Sequence, residues 1–144
     1  MGANNEDFQH HIRVYRGIPG ASVESLLAPL KSILPSAKPD SPRRLGHHWT
    51  TDVKSAERFA SKADKGAVLS ALVHPDDVMT PQEVEEYNRK WPRQQVYGPE
   101  HWEQEVPVRM GATVHITGGK NMTFLDEAQV KNEKQFKTPK PFVV

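Results

Sequence analysis

The segment Ala67-Val68-Leu69-Ser70-Ala71-Leu72-Val73 limits most strongly what this chain can become. It is apolar at every position but Ser70, and His74-Pro75-Asp76-Asp77 closes it. A run this short and this apolar, bounded by turn residues, reads as a buried strand. Other segments supply further sheet. Ile12 to Arg16 alternates, with Ile12, Val14 and Arg16 on one face and Arg13 and Tyr15 on the other. His47 to Thr51 reads as a strand. Glu105 to Arg109 and Ala112 to Thr117 read as an antiparallel pair turning at Met110-Gly111. Pro107 places the first of these at an edge or a bulge. Gly118-Gly119 then leads to a short strand, Met122 to Leu125.

Helices fall between the strands. Leu26, Leu27, Leu30, Ile33 and Leu34 recur at helical spacing, with Pro29 forcing a kink or a start, and the prolines at 35, 39 and 42 mark a loop. Asp52 is a good N-cap for a helix whose stripe, Ala56, Phe59, Ala60 and Ala63, is narrow enough to pack close to a sheet, and Lys65-Gly66 ends it. Thr80-Pro81-Gln82-Glu83 is a capping box with proline at the first helical position. That helix runs to about Lys90, and Pro92 follows it. Residues 1–11 read as a flexible polar arm, 12–126 as the folded domain, and 127–144 as a polar tail, helical at most to Glu133. The expected class is α+β.

Composition removes several functions. With 144 residues the chain suits one domain. It has no cysteine, which excludes thiolate nucleophiles, disulfides and cysteine zinc sites. A net charge of +1 gives no global bias toward nucleic acid, although nucleic acid is not excluded. Arg43-Arg44 and the Lys131, Lys134, Lys137, Lys140 series read as solvated surface. No apolar run approaches the ~20 residues of a membrane span, and the N-terminus lacks the apolar stretch of a signal peptide, so a cytoplasmic protein without membrane partners is expected. His74, Asp76 and Asp77 read as a strand-ending turn and not as a metal site.

Three places carry chemistry. Arg16 is either a strand arginine paired with a carboxylate or a guanidinium fork for nucleotide phosphates, with Gly17 beside it allowing a ligand close to the backbone. Thr50 and Thr51 are either simple β-formers or hydroxyls that orient a carboxylate. Glu103 and Glu105 are either exposed charges on an edge strand or two carboxylates aimed by strand periodicity at one site.

Taken in order, these segments resemble the Arg-Ser-Glu branch of the ADP-ribosyltransferase superfamily. The matching residues are Val14-Tyr15-Arg16-Gly17, then Trp49-Thr50-Thr51-Asp52 running into Ala56-Glu57-Arg58-Phe59-Ala60, then Glu103-Gln104-Glu105-Val106-Pro107-Val108 with Gly111. The likeness spans residues 12 to 118 or so. It implies a split antiparallel β-sheet core with short helices, and NAD as co-substrate with no metal. Arg16 and Gly17 would bind NAD, with Thr50, Thr51 and Phe59 beside them. Glu105 would be the catalytic glutamate, oriented by Thr50 or Thr51, and Glu103 would steer or deprotonate the acceptor. Glu at that position goes with protein arginine as acceptor. Tyr97 and Trp102, in the loop from Trp91, would read the target. His47 and His48 are either satisfied strand histidines or contacts to nicotinamide or acceptor. The absence of a delivery domain suggests a phage-encoded, toxin–antitoxin or injected enzyme. Transfer to a nucleobase, nucleotide, small molecule or water, and a catalytically inactive binding module, are the alternatives.

Overall fold

The computed structural model describes residues 8–28, 45–46, 48–97 and 104–144. These form an α+β protein with one six-stranded antiparallel sheet and three short helices. The strands are β1 (Ile12–Pro19), β2 (His48–Thr50), β3 (Lys65–Val73), β4 (Glu105–Pro107), β5 (Thr113–Thr123) and β6 (Gln129–Val143). The helices are α1 (Val23–Leu26), α2 (Val53–Ala60) and α3 (Pro81–Lys90). Across the sheet the order is β4-β2-β1-β3-β5-β6.

Strand β3 lies inside the sheet, paired with β1 over eight positions and with β5 on its other side. Its inward residues Ala67, Leu69, Ala71 and Val73 join Val14, Trp49, Val106, Val114 and Ile116 in the main core. Trp49 is almost fully buried, and its indole Nε1 donates to the Gly46 carbonyl at 3.1 Å. Burying such a ring stabilises the fold by about 3 kcal/mol, provided the N–H finds a partner.

The other face of the sheet receives α2. Asp52 caps this helix, its carboxylate accepting from Lys54 N at 3.2 Å. Two glycines seat it. A Cβ on Gly17 would stand 1.7 Å from the Ala56 carbonyl oxygen, and one on Gly66 would stand 2.6 Å from that of Ala60. The narrow Ala56–Ala60 stripe therefore lies directly on β1 and β3, as the small residues predict. The close approach that Gly17 permits is that of a helix backbone. The turn at Pro75–Asp77 also follows the sequence, with His74 Nδ1 accepting from Asp76 N at 3.0 Å.

Four expectations are corrected. Lys65 and Gly66 begin β3 and do not end α2. Strands β4 and β5 do not form a hairpin: β4 crosses to pair with β2 at the sheet edge, while β5 pairs with β3 and β6. Pro107 does sit on an edge strand. Gly118-Gly119 does not separate two strands but lies within β5, where Cβ atoms would strike the Lys134 carbonyl (2.2 Å) and Val23 Cγ2 (2.9 Å). The stretch read as a helix and a polar tail is β6. Its lysines and prolines suit an edge strand: charge and missing N–H groups blunt pairing with other chains. At the other end, the Phe8 ring packs edge-on against His11 and His115, so residues 8–11 of the expected arm lie against the sheet. The helical spacing at Leu30 to Leu34, the proline loop after it and His47 lie outside the described residues.

Candidate active site

Among the described residues, strands β1 and β2 share a single register pair, Tyr15 with Thr50. A side chain adds a second link. Arg16 Nη1 donates to the His48 carbonyl at 2.6 Å, joining β1 to β2 through a side chain. Gly46, at φ +65°, makes room: a Cβ there would stand 3.0 Å from Arg16 Nη2. Beside this link lies a cleft of about 440 Å³, within the ~300–1,000 Å³ range of small-molecule sites.

Arg16 lines this cleft as an incompletely satisfied cation. Its Nε is buried without a hydrogen-bond partner. Burial pushes the guanidinium's pKa down to about 10, against the opposing pull of Glu105. The group is therefore still a cation at neutral pH, and an anion entering the cleft would complete its hydrogen bonding.

Glu105 comes in from β4, directly opposite Thr50 on β2. It is 5% exposed, yet it lines the same cleft as Arg16. Both carboxylate oxygens are held. Oε1 lies 2.5 Å from His48 Nδ1, and Oε2 accepts from Tyr97 N at 2.7 Å. A carboxylate so gripped has a fixed plane and little freedom to reorganise, which suits electrostatic work on a developing cation.

The residue before it is bent to match. Gln104 has φ +49°, a left-handed conformation that a non-glycine residue adopts at some cost. Its carbonyl accepts from Thr51 N at 3.2 Å and from the Thr50 hydroxyl at 3.3 Å. Thr50 Oγ1 also accepts from Asp52 N at 3.0 Å, and Thr51 Oγ1 donates to the Gln104 side chain at 3.1 Å. The two hydroxyls thus hold the backbone just ahead of Glu105, while His48 and the Tyr97 amide hold its carboxylate.

The cleft walls are aromatic. Phe59 from α2 is 37% exposed, with Lys62 Nζ 4.4 Å from its ring centre. Tyr97 is 40% exposed on the loop that follows α3. That loop is pinned from α3: Asn88 Oδ1 accepts from Val96 N at 2.7 Å, and Asn88 Nδ2 donates to Val96 O at 2.8 Å.

Of the residues singled out from the sequence, Arg16, Gly17, Thr50, Phe59, Tyr97 and Glu105 all border the cleft. Thr51 is exposed and turned to Gln104. Glu103 and Trp102 lie outside the described residues. Lys62 and the Asn88 clip went unread, because each acts through a contact between distant elements that no local spacing announces. Among the described residues no three or more histidines, aspartates or glutamates are grouped so as to hold a metal, and no helix is long and apolar enough to cross a membrane. No family model, curated protein or solved structure matches the chain.

Proposed function

We propose that this protein is a mono-ADP-ribosyltransferase that cleaves NAD and passes ADP-ribose to an acceptor, with protein arginine as the acceptor class. One observation carries the reading. The three segments that resemble Arg-Ser-Glu transferases lie far apart in sequence, yet their strands are neighbours, and Arg16, Thr50 and Glu105 border one cleft. The cleft also has the right chemistry for a dinucleotide: a buried cation with an unused donor for phosphate, aromatic rings for flat groups, and a fixed carboxylate.

In this reading Arg16 holds the pyrophosphate, and Phe59 and Tyr97 flank the bound rings. The bond between ribose C1′ and the nicotinamide nitrogen breaks, and its electron pair leaves with nicotinamide. Glu105 grips a ribose hydroxyl and stabilises the positive charge left on the sugar. The acceptor nitrogen then bonds to C1′ and gives up a proton, with Glu103 in that role on the strength of the resemblance. A guanidinium is a poor nucleophile while protonated, so a carboxylate beside it is chemically reasonable.

The test is nicotinamide release and label transfer from radiolabelled NAD, with a cell lysate as acceptor pool. Wild type and Glu105→Ala are compared, and removal of the carboxylate is expected to lower turnover roughly 100- to 1,000-fold. Label on protein that disappears with the variant supports transfer. Nicotinamide release without labelled protein redirects the acceptor to water or a small molecule. A folded wild-type protein that leaves NAD intact refutes the enzyme.

A further inference from the structure

We infer that His48 is the positioning residue for Glu105, and that its protonation sets how much negative charge the catalytic carboxylate presents to the cleft. The inference rests on the transferase reading and goes beyond the resemblance, which gives the orienting role to a hydroxyl. His48 Nδ1 stands 2.5 Å from Glu105 Oε1, whereas the Thr50 hydroxyl serves the neighbouring backbone. An ionised carboxylate only accepts, so Nδ1 carries the hydrogen and donates it. The carboxylate is nearly buried while the imidazole is about a third exposed and borders the cleft.

A consequence for charge follows. With a neutral ring, Glu105 keeps its full negative charge opposite the site where positive charge develops on ribose. A second proton on the imidazole puts a cation against Oε1 and offsets that field. Turnover is therefore expected to be lower with the ring protonated than with it neutral. The other charged or titratable side chains near the pair, among the described residues, are Tyr15 and Arg16 from β1, Lys62 from α2, Tyr97 from the loop and Tyr87 from α3. All of them remain in a His48 variant, so the difference between variant and wild type isolates the ring. The backbone carbonyl of His48 that holds Arg16 also survives any substitution at this position.

The experiment measures nicotinamide release against pH for wild type, His48→Ala and His48→Asn. The Asn amide can donate where Nδ1 donates but cannot take up a proton. Expected is a loss in kcat for His48→Ala on the order of 100-fold at neutral pH with KM little changed, the scale of a misplaced catalytic group. His48→Asn should recover most of this and lose the acid limb of the wild-type profile. If both variants are equally impaired, or His48→Asn keeps the wild-type profile, the ring only fills space and the inference is overturned. A wild type that releases no nicotinamide at any pH removes the transferase reading and this inference with it. A second measurement needs no turnover: the NMR signal of the His48 Nδ1 proton, present in wild type and lost in Glu105→Ala, which removes the acceptor. Its absence in wild type would sink the contact itself.

Discussion

Asn88 holds Val96 as a neighbouring strand would, taking its N–H at 2.7 Å and giving to its carbonyl at 2.8 Å. Val96 is 1% exposed, so neither backbone group can turn to water instead. The next residue is Tyr97, whose N–H holds Glu105. One side chain on α3 therefore fixes the loop that fixes the carboxylate. Replacing Asn88 with Ala leaves two buried backbone groups unpaired, a cost of about 2 kcal/mol. Hydrogen exchange is expected to show faster exchange at the Val96 and Tyr97 amides, with kcat reduced. Unchanged protection at both amides would show that the loop is held by something else.

Arg16 offers a sharper test of phosphate binding than of stability. A lysine keeps the charge but loses the fork and the Nε donor. Losing a charge-assisted hydrogen bond costs about 1.5–3 kcal/mol, which corresponds to roughly a 10- to 100-fold weaker grip on NAD. Arg16→Lys is expected to raise the Kd for NAD by that factor in a direct titration. A Kd equal to that of wild type would place the phosphates elsewhere.

Gly17→Ala separates packing from ligand approach. The new methyl group would stand 1.7 Å from the Ala56 carbonyl, on backbone that cannot swing aside. Helix α2 would have to lift, at a cost of about 3 kcal/mol or more. Urea unfolding should show this loss. A variant as stable as wild type would mean that α2 sits farther from β1.

The Glu83–Arg109 pair links α3 to the chain leaving β4. Arg109 Nε and Nη2 donate to the two Glu83 oxygens at 2.8 and 2.7 Å, and Nη1 donates to the Asp76 carbonyl at 2.6 Å. These bonds hold the Glu83 carboxyl at a pKa of about 2, against an ordinary 4.5. Because the folded value is the lower one, the pair's stabilisation is fully present above pH 4.5 and is lost as pH falls through about 2. Both side chains are partly exposed, so the contribution is modest. The gap in urea midpoint between wild type and Glu83→Gln should hold steady at neutral pH and close on acidification through that window. A gap independent of pH would assign the effect to shape and not to charge.

Local patterns in the sequence that depend only on near neighbours proved reliable. The capping box at Thr80 and Glu83 forms with both of its bonds, and Asp52 caps α2. The run Ala67 to Val73 is a buried strand inside the sheet. The edge position of Pro107 also follows locally, because a residue without an N–H cannot sit where two ladders meet. Longer-range pairings were misread where proximity in sequence suggested a hairpin. A glycine turn at Met110-Gly111 resembles a β-turn between partners, but β4 pairs with β2, and β5 pairs with β3 and β6. The β6 segment hid for a similar reason. An edge strand needs only a partner on one side, so its composition can be as polar as a tail.

The sequence by itself determined which residues could be chemical: an arginine beside a glycine, paired threonines, and a glutamate opening an apolar strand. It also determined the short-range devices, caps and turns, whose partners lie within a few residues. Only the tertiary structure decided that Arg16 and Glu105 border one cleft, because that depends on strand order across the sheet. It alone decided that His48 and the Tyr97 amide grip the carboxylate. The physical reason is that a hydrogen bond between elements depends on register and approach distance. Those are set by the packing of the whole sheet and by the glycines that let α2 and Arg16 come close.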